Sequence, residues 1–264
     1  MSMLSLKATR PHFSSPFTLH FQSPNRRPSS HLSFLKMSTA AAAAPPPETI
    51  EHVVLFKVKE TAEPSGVQSM LSSLNALVSL DPVLHLSAAP IHRLKSSPIP
   101  FTHLLHCRYS SKDGLKAYAV HPSHVAAVKE RVLPVCDDVM AVDWVARDLL
   151  GLVVPPPGSA VRLSFLKLKE GSAAEAKDEI LRVIGGVKEK FEEIQQLTVG
   201  ENFSPERAKG YSIASLAVFP GVGEIDSMDA KGELVSSEKD KVREHLESVI
   251  VLDFVVPSSQ SASL

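Results

Sequence analysis

Residues 51–60 read EHVVLFKVKE, and VRLSFLKLKE returns at 161–170. Likewise VMAVDW at 139–144 is answered by VIVLDF at 249–254. Both pairs lie 110 positions apart, and the same offset aligns Phe101-Thr102 with Tyr211-Ser212 and Lys129 with Lys239. One unit has been copied once with almost no net insertion. A repeat this long is a whole domain and not a solenoid element. The chain must therefore fold as two versions of one design.

The copies differ in one polar set. His52, His103, Tyr118, His121 and His124 of the first copy meet Arg162, Ile213, Met228, Lys231 and Leu234 of the second. Duplication fixes the construction, and the asymmetry marks where chemistry would sit.

At 264 residues there is room for about two domains. Cys107 and Cys136 give neither a disulfide framework nor metal-ligand spacing, and both lie in apolar segments. Residues 1–47 contain no Asp or Glu, and carry Lys7, Arg10, Arg26, Arg27 and Lys36 among many serines. That composition is how a plastid or mitochondrial transit peptide looks. Taking these five from the 28 Lys and Arg leaves 23 against 29 Asp and Glu. Such a balance supplies no basic patch for nucleic acid. No run of 18 apolar residues exists to span a membrane. The tail Ser261-Ala262-Ser263-Leu264 loosely resembles a peroxisomal address. A product started at Met37 would keep only that signal.

The segment 1–47 thus reads as a targeting region ending in the linker STAAAAAPPP, 48–150 as the first domain, 159–257 as the second, and 258–264 as a tail. Ile50 to Val58 alternates as a strand. His52, Val54 and Phe56 are expected on the face that helices leave open, with Val53 and Leu55 against the helices. Pro64 opens an apolar-striped helix that Asp81-Pro82 stops. A weak strand near 84–88, a Pro-rich connection at 95–100 and a strand at 101–109 follow. Helical material spans about 112–135, broken at His121-Pro122, and a strand at 139–145 closes the copy. Prolines 155–157 and Gly158 link to the second copy, which repeats the order with helices near 173–191 and 225–246. Each copy reads β-α-β-β-α-β, the ferredoxin-like order in an α+β class. Its open sheet face must be buried, and the other copy is the obvious partner.

HVVLFKVKE, AYAVHPSH and VMAVDW in the first copy, with FLKLKEG, VGENFSPERAKGYS and VIVLDF in the second, resemble the stress-responsive dimeric α+β barrel family. The resemblance covers about 50–150 and 160–256. It implies two tandem ferredoxin-like units whose sheets face each other in one barrel, closed within the chain or across a homodimer. It also implies a stress-response or defence role, non-enzymatic and without a required cofactor, with a small apolar ligand held in the barrel. One branch of the family, a plant polyketide cyclase, uses a Tyr and a His in a stretch similar to AYAVHPSH. By that resemblance Tyr118 and His124 match its catalytic pair, and His52 and His103 match pocket histidines. The second copy departs from the pattern and would supply only wall. Some relatives look able to hold Mg²⁺ at the end of the first helix. Here that would involve carbonyls of Leu77, Leu80, Asp81 and Val83.

Two chemistries compete for the polar set. A neutral imidazole can take a proton α to a carbonyl while a phenol hydrogen-bonds the developing enolate. His52, Val54, Phe56, His103 and His121 would then line the pocket around Tyr118 and His124. Against this, histidines beside a helix break such as Pro122 often satisfy orphan backbone groups. Three converging histidines would also suit zinc, although nothing in the spacing demands it. The charge run EKDKVREHLE at 238–247 reads as a solvated helix face.

Overall fold

The computed structural model describes residues 48–147, 149–172 and 174–258. Both targeting signals lie outside the described residues.

The first copy runs β1 (Thr49–Val58), α1 (Pro64–Ala76), β2 (Val83–Pro90), β3 (Arg93–Ser96), β4 (His103–Tyr109), α2 (Lys112–Val120), α3 (Pro122–Ala127) and β5 (Cys136–Ala146). The second runs β6 (Ala160–Leu168), α4 (Ala174–Gly185), β7 (Gln196–Glu201), β8 (Ile213–Phe219), α5 (Val222–Ala230), α6 (Gly232–Arg243) and β9 (Leu246–Val255). Their sheets have strand orders β2-β4-β1-β5 and β3-β9-β6-β8-β7.

The two sheets face each other within one chain. Val53, Leu55, Val142 and Trp144 of the first pack with Leu163, Phe165, Leu252 and Phe254 of the second in one buried cluster. The intramolecular barrel expected from the repeat is therefore present. Contacts join the two sheets at both ends. At one, β3 leaves its own copy and pairs antiparallel with β9, Arg93 opposite Asp253. The sequence suggests only a connection near this place. At the other, β5 lies along β7. Trp144 Nε1 donates to Thr198 Oγ1 at 3.3 Å, and the Phe203 N–H donates to Asp143 O at 2.9 Å.

The face assignment for β1 is the reverse of the expectation. Val53 and Leu55 point into the barrel, whereas Phe56 and Val54 pack beneath the helices with Met70, Leu74 and Tyr118. Alternation identifies two faces but does not say which one the helices cover. Glu51 shares the inward face. It is fully buried, as are its neighbours His106 and Arg108. Arg108 donates to Glu51 at 2.8 Å, His106 Nε2 bonds it at 2.7 Å, and Thr198 Oγ1 donates to it at 3.1 Å. Arg108 also reaches Val153 O at 2.8 Å and Gln196 Oε1 at 2.8 Å. This network straps the Pro-rich linker across one end of the barrel.

The long helix expected at 225–246 is two helices, parted at Lys231-Gly232. That is the position of His121-Pro122 in the first copy. Lys231 has ψ of 48°, outside the helical range, and Gly232 takes the place of the proline.

Candidate active site

With β1 turned this way, His52 points toward the helices. In the β1–β5 register it stands opposite Asp143, and its Nδ1 bonds Asp143 Oδ1. Opposite it on β4 is Cys107. Tyr118 comes down from α2, where Leu115 and Tyr118 form the buried stripe. Ser111 starts that helix by accepting from the Gly114 N–H at 3.0 Å. The chain then breaks at His121 and restarts at Pro122, well suited to a first helical position. The break turns His124 back over Tyr118, with ring centroids 4.5 Å apart.

His52, Leu115, Tyr118, His124 and Asp143 line a cleft of about 230 Å³ between the first sheet and its helices. The second copy closes one side with Phe203, Ser204 and Arg207, and Lys112 and Lys116 stand at the rim. Lys112 Nζ lies 4.4 Å over the Phe203 ring. Arg207 donates to the outer oxygen of Asp143 at 3.3 Å.

His124 Nδ1 contacts Ala119 O at 3.0 Å. A carbonyl only accepts, so Nδ1 carries the proton and Nε2 keeps its lone pair. Burial holds the His124 pKa below its ordinary value, outweighing the opposite pull of the Ala119 carbonyl. The ring is therefore neutral near pH 7. Tyr118 is only 2% exposed. Burial, then the neighbouring Cys107, pushes its phenol well up, so it remains a donor. Burial also works against ionised Asp143, but His52 and then Arg207 hold its carboxyl below the usual range. The cleft thus contains a neutral base, a protonated phenol and a carboxylate-anchored imidazole.

Of the predicted set, His52, Tyr118 and His124 converge. Val54 and Phe56 belong to the packed core beneath the helices and do not line the cleft. His103 stands opposite Phe56 at the far end of β4, with Nδ1 bonded to Thr102 Oγ1 at 2.8 Å. His121 caps α3, its Nδ1 accepting from the Ser123 N–H at 3.2 Å. The structural reading of H-P-x-H thus describes His121, while His124 combines a backbone bond with a free Nε2. Phe101 and Phe165 lie in the inter-sheet core of the barrel, where the ligand was expected.

Asp143 was missed, though it left a trace. An Asp recurs in the apolar closing strand of each copy, at 143 and 253. In the second copy Asp253 accepts from Arg162 Nε at 2.7 Å, the pair that replaces His52 and Asp143. The duplicated carboxylate holds a basic side chain both times.

Among the described residues no group of three or more His, Cys, Asp or Glu is placed to hold a metal ion. At the end of α1, Leu77 O and Leu80 O accept the N–H groups of Leu80 and Val83 at 3.1 and 2.9 Å. A Mg²⁺ there would be held by the backbone carbonyls of Leu77, Leu80, Asp81 and Val83. No described helix is long and apolar enough to cross a membrane.

Fold and site together define a tandem two-copy α+β barrel with one histidine–tyrosine cleft. The chain belongs to the stress responsive A/B barrel domain family, whose model matches residues 50–146 and again 160–256. It is similar to a stress-response A/B barrel domain-containing protein of Arabidopsis thaliana, with 53% identity over 97% of this chain and 98% of that one. A second such protein of the same plant, DABB1, is 48% identical over 80% of this chain and 98% of its own. Among solved structures, an anthrone oxidase-like protein shares the fold at a TM-score of 0.56. It is 10% identical and covers 80% of this chain and 92% of its own.

Proposed function

We propose that the first-copy cleft binds a small enolisable carbonyl compound and moves a proton on it without a cofactor. The observation that carries this is the engagement of His124 Nδ1 by Ala119 O, which leaves Nε2 as the ring's base beside Tyr118. In the step, Nε2 takes the α-proton and the C–H electrons form the enolate. The carbonyl oxygen gains the charge and accepts from the Tyr118 hydroxyl. Lys112, Lys116 and Arg207 at the rim add a positive field suited to the enolate. Attack of that enolate on a second carbonyl of the same molecule would close a ring. His52, held by Asp143, positions the ligand against Tyr118.

The test is deuterium uptake by pentane-2,4-dione and by an aromatic methyl ketone in D₂O, followed by NMR. The native chain is expected to accelerate exchange above buffer. Tyr118→Phe and His124→Gln should each lower it by roughly 10²–10⁴-fold with the melting temperature retained. Binding without exchange would assign the cleft to a non-enzymatic carrier, and exchange unaffected by both substitutions would remove the proposal.

For location, we propose that the acid-free N-terminal segment directs the full-length chain to the plastid, and that the Ala262-Ser263-Leu264 end serves a product started at Met37. A C-terminal fluorescent tag leaves only the first signal readable, and an N-terminal tag only the second. A cytosolic fusion in either case rejects the corresponding signal.

A further inference from the structure

The larger cavity lies in the other copy. Between the second sheet and its helices α4 and α6 is a space of about 590 Å³, against about 230 Å³ in the first copy. Its origin is visible in the strand register. In the first copy Val54 pairs with Leu105 across β1 and β4, and both belong to one continuous core beneath the helices. At the duplicated positions Ser164 pairs with Ser215 across β6 and β8. The core beneath the second set of helices is correspondingly split. One part gathers around Phe191, Phe219 and Met228, and the other around Leu166, Ile180 and Val242. The cavity occupies the gap between them, with apolar walls and the two serines in its floor.

Both hydroxyls are free. Ser215 is 7% exposed, and among the described residues neither serine side chain has a hydrogen-bond partner. Both serines line the cavity without a protein partner, so an entering hydroxyl or carbonyl can use them as an anchor. Most charges at the cavity wall are already paired and offer little to an ion. Arg162 is held by both Asp229 and Asp253, Lys95 by Asp229, and Glu238 by Lys190 and Lys241. Lys239 stands exposed at the rim.

We infer that the helix–sheet cavity of the second copy binds one neutral lipophilic molecule with a single hydroxyl or carbonyl, seated on Ser164 and Ser215. At the roughly 30 Å³ that a water occupies in the liquid, the space holds about 20 non-hydrogen atoms. That is the size of a sesquiterpenoid or diterpenoid alcohol. This site is separate from the His124 cleft, on the outer face of the other sheet, and does not depend on the chemistry proposed there.

Calorimetric titration of the full chain with farnesol tests the inference, with palmitate as the charged comparison. Farnesol should bind, and palmitate should bind at least tenfold more weakly. The double substitution Ser164→Val and Ser215→Leu restores the first-copy pair. It should weaken farnesol binding by more than tenfold while raising the melting temperature, since it fills the void with apolar side chains. Ser215→Ala keeps the space and should weaken binding about 2–10-fold. His124→Gln should leave farnesol binding unchanged. Failure of the native chain to bind farnesol, tighter binding of palmitate, undiminished binding by the double variant, or loss of binding in His124→Gln would each overturn it.

Discussion

Arg108 and Glu51 face each other across β4 and β1, both fully buried inside the barrel, joined at 2.8 Å. Glu51 also accepts from Thr198 of the second copy, and Arg108 also donates to Gln196 there and to the linker. The ion pair thus ties three parts of the chain together. Arg108→Leu leaves Glu51 buried without its main partner and is expected to cost about 3–5 kcal/mol. Adding Glu51→Leu should recover part of that loss, because no uncompensated charge then remains. Urea denaturation of the two single variants and the double variant measures it. Additive losses would show that the two residues are not coupled.

The β5–β7 seam depends on one glycine. A Cβ on Gly200 would sit 2.9 Å from Trp144 Cδ1 and 3.1 Å from the backbone oxygen of Val145. Neither neighbour can yield easily, since Trp144 is buried in the inter-sheet core and the oxygen belongs to a strand. Gly200→Ala should therefore destabilise by about 1–3 kcal/mol, whereas Gly186→Ala, which meets no neighbouring atom, should not. Thermal melting of both variants makes the comparison.

Acid should unfold the barrel in two stages. Burial, then the charges of His106 and Arg108, holds the His85 pKa down at about 2 against an ordinary 6.5. Below pH 6.5 the unfolded chain takes up a proton that the folded one refuses. Stability is fully present above 6.5 and falls as pH drops, by at most ~1.4 kcal/mol per unit for such a group. Burial raises the Glu51 pKa, but Arg108 and His106 more than offset it and bring the value from 4.5 to about 2. Its contribution is present above 4.5 and is lost as pH falls toward 2. Urea midpoints should be flat from pH 8 to 7, decline below 6.5, and decline faster below 4.5. Constant stability down to pH 5 would contradict the assignment of His85 as a buried neutral ring.

The duplication made most of this fold legible. The offset that aligns VMAVDW with VIVLDF also sets the register of both sheets, and the need to cover an open sheet face led directly to the barrel. Which face of β1 is covered was not legible. Glu51 and Arg108 look like surface residues until their partners, 57 positions apart along the chain, are in place. The strand Arg93–Ser96 was hidden for a related reason, since its pairing is with Asp253 and Leu252 in the other copy. In the site, Tyr118 and His124 share a local motif and were found, whereas Asp143 and Arg207 arrive by tertiary contact. The second-copy cavity follows from Ser164 and Ser215, unremarkable residues until the register sets them opposite each other.

The state of one ring tests the account of the cleft most directly. In nitrogen-15 NMR of the full chain at pH 7, with histidines labelled and His124 assigned by His124→Gln, that ring should be neutral. It should be protonated at Nδ1, with an unprotonated Nε2 that shifts on adding pentane-2,4-dione, and it should titrate below 6.5. A ring protonated at Nε2, or doubly protonated at pH 7, would contradict the assignment of His124 as the base.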